Sequence, residues 1–459
     1  MKDFTEQELA ACLKVLQSIS RDPSSADDLI QLKTLVAKIY TKSRRSRRSQ
    51  NRQKLSRGTR QIRETTLLYR KNKALDSGEN SLPAEVSHAH RTSPKPVTCY
   101  ICRETYTNIH FFYHLLCPQC AEFNYAKRFQ TANLSGRRAL ITGGRMKIGY
   151  QTALRLLRDG AEVLVTTRFP VNAAEKFAGE KDFSEWGSRL QIHGLDLRNI
   201  VAVEQFAENL RRSASFLDIV IHNAAQTIKR PLEFYRHLLD AEQSLRASLP
   251  SHIRSLIKSE GSRLAEKNEN YPQIFVRENL LIAERDFDGH GQPKDYRSQN
   301  SWTLRLEEVS TLEVLEVQLV NAVSPFILNG KLKGLLISSP HERKFIVNVS
   351  AMEGQFNRKN KTCFHPHTNM AKASLNMMTR TSAQDFVKER IYMNSVDTGW
   401  ITEENPHPKK TRIQDNGFIT PLDEIDGAAR IYDPIAGGIE NADEPFYGQF
   451  LKNYFPSEW

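Results

Sequence analysis

The sequence predicts a doubly wound α/β fold with a parallel sheet, preceded by a helical, basic N-terminal region and a small cysteine module. Three observations carry this. ALITGGRMKIGYQTALRLLRDGAEVLVTTR (139–168) reads as strand, glycine turn, helix and strand. Strands and helices then alternate along the rest of the chain, as in a parallel sheet covered on both faces. Several of the later strands stop at a polar residue, which gathers chemistry at one edge of the sheet.

In chain order, residues 4–20 and 25–41 read as amphipathic helices. Phe4, Leu9, Leu13, Leu16 and Ile19 stripe the first. Leu29, Leu32, Leu35, Val36 and Ile39 stripe the second, which opens on Ser25 and Asp28 in the manner of a capping box. The pair is expected either to dock on the main body or to offer a partner surface. Residues 43–97 are basic, then polar, and have the composition of a linker. In the glycine segment, Ala139–Thr142 is the strand, Gly143 and Gly144 turn, and Ala153, Leu154, Leu156 and Leu157 stripe the helix. Asp159-Gly160 ends that helix, because glycine tolerates the left-handed cap. Further strands end at Asp196, at His222-Asn223-Ala224-Ala225 and at Ser350. Helices over 312–328 and 365–387 carry Asn321 and Lys372, and 390–401 is a strand and turn. Within 226–310 the alternation is interrupted by a helical stretch and a polar one. Its DFDGHG lacks the glutamate that a calcium loop needs at its twelfth position and reads as a polar turn.

The chain has 459 residues, 39% hydrophobic and 26% charged, with a formal charge of +12. That length favours two or more domains. Much of the excess charge lies in SRRSRRSQNRQKLSRGTRQIR (43–63), a candidate nucleic-acid or protein contact or a solvated face. No apolar run reaches the roughly 20 residues that span a bilayer. The first residues resemble neither a secretory signal nor a transit peptide. The expected location is the cytoplasm or nucleus, away from membranes.

Four of the six cysteines form two CxxC pairs, Cys99 with Cys102 and Cys117 with Cys120, separated by about fourteen residues. In a reducing compartment that pattern points to a structural zinc site over 98–125, with iron or a redox dithiol as alternatives. His110 and His114 are alternative ligands, expected instead around the site. The short connection from this module to the first strand predicts that the two pack together.

The succession Thr142-Gly143 to Gly149, Asp196-Leu197, Asn223-Ala224-Ala225, Asn321, Ser350, Lys372 and Asn394–Gly399 resembles the short-chain dehydrogenase/reductase family, with its Rossmann-like fold, over about 136–459. The resemblance implies that Thr142, Gly143, Arg145, Lys147, Ile148 and Gly149 wrap the coenzyme pyrophosphate. It implies that Asp196 bonds the adenine amino group, that Leu197 packs on the ring, and that Asn223, Ala224 and Thr398 line the nicotinamide side. Arg168 follows the second strand, where users of NAD carry an acid, so NADP(H) is favoured over NAD(H). Asn321, Ser350 and Lys372, which also holds the ribose, match catalytic positions. Two positions depart from the family. Lys147 replaces a glycine and either meets a phosphate or takes its place. Thr368 stands where the family has its proton-donating Tyr, and an aliphatic hydroxyl is a far weaker acid than a phenol. His367 or His365 is the expected substitute donor.

Two functions follow. One is an NADP(H)-dependent oxidoreductase acting on a small carbonyl or alcohol with an altered proton donor. The other is a catalytically degenerate scaffold that binds a macromolecule through the zinc module, the insertion and the basic arm.

Overall fold

The structure, a computed structural model, describes residues 4–23, 30–77, 91–244, 248–259, 286–358, 361–441 and 443–459. The helix start expected at Ser25 to Leu29 and the middle of the insertion lie outside the described residues.

The N-terminal region is α1 (Glu6–Arg21), α2 (Ile30–Glu64) and α3 (Leu67–Ser77). Thr5 opens α1 with a capping box to Glu8. The expected stripe of α1 is not covered: none of its residues is buried. The basic stretch expected as a linker is instead continuous helix through Glu64, followed by α3 and then by a strand. The physical reason is that Arg, Lys and Gln are strong helix formers, so a charge-rich run without Pro extends a helix while staying solvated.

The cysteine module is a hairpin, β1 (Arg91–Thr98) and β2 (Thr105–Ile109), followed by α4 (Pro118–Lys127). The main sheet is then built from β3 (Arg138–Thr142), α5 (Lys147–Arg158), β4 (Glu162–Thr167), α6 (Pro170–Ala178), α7 (Phe183–Trp186), β5 (Leu190–Gly194), α8 (Ile200–Ser213) and β6 (Ile219–His222). The insertion contributes α9 (Arg236–Ser244), α10 (Ser251–Arg254) and β7 (Ile257–Ser259). The remainder is α11 (Thr311–Gln318), α12 (Ser324–Ile337), β8 (Lys344–Ser350), α13 (Pro366–Phe386), β9 (Ile391–Asp397), α14 (His407–Asp415), α15 (Glu424–Glu440), β10 (Phe450–Lys452) and β11 (Phe455–Ser457).

The nine strands lie in the order β11-β10-β9-β8-β6-β3-β4-β5-β7, all parallel except β11. This is the expected doubly wound parallel sheet. Alternate residues serve opposite faces. Ala139, Ile141, Ile219, Ile221, Phe345 and Val347 join the core under α5 and α15. Leu140, Val220 and Ile346 join the core under α8 and α12. Each fully buried aliphatic side chain of this kind contributes about 1.5–3 kcal/mol. The stretch Thr311–Ile337 is, by length and composition alone, long and apolar enough to cross a bilayer, although Glu313, Glu316, Asn321, Lys331 and Lys333 interrupt its apolar run. Here it lies against the sheet, with Leu328, Leu332 and Leu336 buried.

Register aligns the carboxyl ends of the central strands. Thr142 pairs with His222 and Thr166, His222 with Asn348, and Ser350 with Asp397. The loops leaving β3, β6, β8 and β9 therefore share one edge, where open α/β sheets bind ligands.

Candidate functional site

The glycine turn after β3 is held by the loop after β6. Asn223 donates Nδ2 to the carbonyls of Gly143 (3.0 Å) and Thr142 (3.3 Å), and the Ala224 amide donates to Thr142 Oγ1 (3.1 Å). Gly143 sits at φ +71°, and a Cβ there would come within 2.8 Å of the Ala224 Cα. A Cβ on Gly149 would lie 2.3 Å from Asn223 Nδ2 and from the Gly143 carbonyl, so neither position admits a side chain. Lys147 adopts φ +52°, the left-handed conformation that glycine takes at little cost. The turn thus keeps its path at a cost of about 1–2 kcal/mol. The Lys147 side chain lines a cavity of about 440 Å³ with Arg145, Lys176, His290 and Glu424. Burial and then Lys147 push the His290 imidazole below its ordinary value. Ile148 packs toward Gly427 of α15, where a Cβ would meet its Cγ1 at 3.0 Å.

Both oxygens of Asp196 are taken by Arg198, at 2.7 Å from Nη2 and 3.1 Å from Nε. Two residues apart in one turn, the pair closes on itself, and burial and the Arg198 charge set the environment in which Asp196 stands. Leu197 is buried in the core beneath α8 and α12. Arg168 lies with its guanidinium 4.4 Å from the Tyr235 ring. Arg145 donates to Asn172 Oδ1 (2.8 Å). Burial, and then the charge of Arg168, push it down to about 10.

The other half of the edge gathers the remaining polar residues. Asn321 lies in a π-helical turn, Leu319–Val323, between α11 and α12. Such bulges re-aim a side chain within a helix and recur at functional sites. Its amide clasps the Gln226 backbone, accepting from the amide (2.7 Å) and donating to the carbonyl (3.2 Å). The Ser350 hydroxyl donates to Asn376 Oδ1 (2.6 Å), and Lys372 donates Nζ to the Val349 carbonyl (2.8 Å). Burial pushes Lys372 down to about 8. Asn376 follows Lys372 by one turn of α13 and was legible as a same-face neighbour, although the motif reading passed over it. Thr368, one turn before Lys372, is buried and its hydroxyl meets no hydrogen-bond partner among the described residues.

The two candidate histidines lie at the start of α13. His367 approaches Glu313 of α11 at 3.3 Å. His365 precedes α13 in a left-handed conformation and stacks on Trp302 with ring centroids 4.0 Å apart. Asp397, ending β9, is buried, and burial followed by the nearby Glu353 raises its carboxyl above the ordinary value. Thr398 follows it at the same edge, nearly buried.

The four cysteine sulfurs lie within 4.8 Å of one another, and those of Cys102 and Cys117 are 3.7 Å apart. The Cys117 amide donates to Cys99 Sγ (3.3 Å). His110 and His114 are buried beside the cluster. His110 Nδ1 accepts from the amides of Phe112 and Tyr113, and His114 Nε2 contacts the Ile419 carbonyl at 3.1 Å. The module packs on α15, as the short connection predicts. Arg128 donates to Asp423 (2.7 Å) and Asp426 (2.8 Å), Tyr113 to Asp426 (2.5 Å), and Arg430 to Asn124 (2.8 Å). Lys71 of α3 donates to Asp423 (2.8 Å). No local motif marks this network, because its members are brought together only by tertiary packing.

Residues 137–254 match the family model described as short chain dehydrogenase. With the glycine turn, the sheet order and the succession of site residues, this gives the chain a Rossmann-like fold that is similar, over that stretch, to the short-chain dehydrogenase/reductase family. The chain is similar to the uncharacterized protein R665 of Acanthamoeba polyphaga mimivirus, 34% identical over 358 residues, which cover 75% of this chain and 72% of that protein. It is 37% identical over 95 residues to the WW domain-containing oxidoreductase of Drosophila melanogaster, covering 20% of this chain and only 23% of that protein. Among solved structures, a short chain dehydrogenase from Burkholderia cenocepacia in complex with NADP aligns with a TM-score of 0.45 at 18% identity, over 70% of this chain and 96% of that one.

Proposed function

We propose that the chain binds a nicotinamide dinucleotide at the carboxyl edge of the sheet and interconverts a small carbonyl compound and its alcohol. The observation that carries this is the pairing of a glycine cradle that excludes any Cβ at Gly143 and Gly149 with a buried Lys372 behind Ser350. When bound, the dinucleotide donates or accepts the hydride. Ser350, anchored by Asn376, orients the substrate oxygen. In the reductive direction Lys372, at about 8, supplies the proton. Thr368 relays it, its hydroxyl accepting from the Lys372 ammonium as it donates to the substrate oxygen; spacing of one helical turn favours that contact. A hydroxyl in this role need not ionise, which removes the objection to threonine as an acid.

Reduction of test aldehydes and ketones is then expected to slow as pH rises through about 8, where Lys372 loses its proton, and alcohol oxidation to accelerate over the same range. Thr368→Val should lower kcat by about 10²- to 10⁴-fold, while Thr368→Ser keeps most of it. Steady-state kinetics across pH check this. Absence of dinucleotide binding at millimolar concentration, or equal rates for both variants, overturns the reading.

The cysteine cluster fits a structural zinc ion. Four thiolates about 2.3 Å from one tetrahedral ion stand about 3.8 Å apart, close to the Cys102–Cys117 separation of 3.7 Å. All four positions would then be filled by protein, which leaves none for catalysis.

The alternative reading, a scaffold for a macromolecular partner, draws on α2. Residues 41–57 are exposed throughout, and the basic run includes Arg44, Arg45, Arg47, Arg48 and Arg52. Single-stranded RNA is expected to bind with an affinity that falls steeply with salt, and to be lost when these five become Gln. Fluorescence anisotropy without a salt-dependent signal removes that reading.

A further inference from the structure

We propose that Glu242, carried on α9 of the insertion, sets coenzyme preference by occupying the place of the 2′-phosphate, so that this protein takes NAD(H) rather than NADP(H). The inference rests on the dinucleotide-binding reading above and sharpens it.

In a fold of this type, the turn after β4 meets the 2′ substituent of the adenosine ribose. An acid there accepts from a 2′-hydroxyl, and an arginine there meets a 2′-phosphate. In sequence, the turn offers Arg168 and no acid. The structure supplies the acid from elsewhere. Glu242 Oε2 accepts from the Val171 amide (3.0 Å) and Oε1 from the Asn172 amide (2.9 Å). These are free amides in the first turn of α6, just after Pro170, which has no N–H. They are the donors a phosphate would use at a helix N-terminus. A bidentate carboxylate already satisfies both.

The arginines that suggested a phosphate are likewise engaged. Arg145 is nearly buried and donates to Asn172 Oδ1 at 2.8 Å, the same residue whose amide Glu242 holds. Arg168 lies under Tyr235, whose ring belongs to the same insertion, at 4.4 Å. The charge of Arg168 is felt by Asp196, while that of Arg145 is felt by the Glu242 carboxylate. A dianionic 2′-phosphate would have to displace that carboxylate. A 2′-hydroxyl could instead donate to it.

The test is equilibrium binding of NADH and NADPH to the full-length protein, followed by nicotinamide fluorescence, for the wild type, Glu242→Gln and Glu242→Ala. Circular dichroism establishes that each variant is folded. The wild type is expected to bind NADH at least about tenfold more tightly than NADPH. Glu242→Gln, which keeps the shape and removes the charge, should shift that ratio toward NADPH by about tenfold or more, and Glu242→Ala should shift it in the same direction. A wild type that prefers NADPH, or a ratio unmoved in both variants, overturns the role of Glu242 while leaving dinucleotide binding intact. If neither dinucleotide binds any of the three proteins, the dinucleotide-binding reading fails and the Glu242 proposal falls with it.

Discussion

Cys99→Ser or Cys117→Ser is expected to remove zinc from the protein and to lower its thermal midpoint by about 10 °C or more, because structural zinc contributes on the order of 10 kcal/mol to small domains. Both sulfurs are buried at the centre of the cluster, and the Cys117 amide is bonded to the Cys99 sulfur. Tyr106 and Ile109 pack directly beside the cysteines, and Phe112, Tyr113, Leu116 and Ala121 form a second cluster with Leu68 and Leu422. Loss of the ion would leave the hairpin end of the module with only the smaller of these clusters to hold it. The effect should spread, because Tyr113, Asn124 and Arg128 all bond residues of α15. Native mass spectrometry should find one zinc per wild-type chain and none in the variants. A wild-type chain without zinc, or variants that melt with the wild type, would remove the structural-zinc account.

Arg128→Met is the second large effect. Its guanidinium neutralises Asp423 and Asp426, both buried. Breaking such a group by removing one partner costs about 3–5 kcal/mol, because a charge is left buried without compensation. Burial pushes Asp423 up, but Arg128 and Lys71 outweigh it and hold its carboxyl well below the usual range. Its stabilising contribution is thus complete above the ordinary carboxylate value and is lost as pH falls through the depressed one. Asp426 has the opposite sign. Burial and the charge of Asp423 push it up to about 6, so its contribution diminishes as pH rises from about 4 to about 6. Asp426→Asn in the Arg128→Met background should therefore recover part of the loss. Asp423 offers no such rescue, since it also caps α15 through the amides of Ile425 and Asp426. Urea denaturation compares both variants with the wild type. An Arg128→Met chain within about 1 kcal/mol of wild type would show that the pair is solvated rather than buried.

The fold was legible wherever a physical constraint acts within a short stretch. The glycine turn was readable because Gly143 and Gly149 meet Ala224 and Asn223 too closely for any side chain. The strands were readable because alternate residues feed two cores. The two CxxC pairs were readable because two ligands three residues apart suit one metal. The basic run was misread as linker because composition records charge, whereas helix formation follows backbone preference.

The site was less legible. Asn321, Ser350 and Lys372 were found from their order, and the structure adds what each touches. Asp196 and Leu197 were found in the same way, and the structure adds the Arg198 bond of the first and the core burial of the second.

By itself, then, the sequence determined the doubly wound sheet, the glycine turn, the cysteine cluster and the absence of tyrosine before Lys372. Each is a property of residues near one another in the chain. Only the tertiary structure decided that Lys147 keeps the turn's left-handed path, that the cysteine module is clamped to α15 through Asp423 and Asp426, and that Glu242 caps α6 beside Arg145. These pairings join segments far apart in sequence. Their energies come from burial and charge compensation, which depend on what packs against each group and not on its neighbours along the chain.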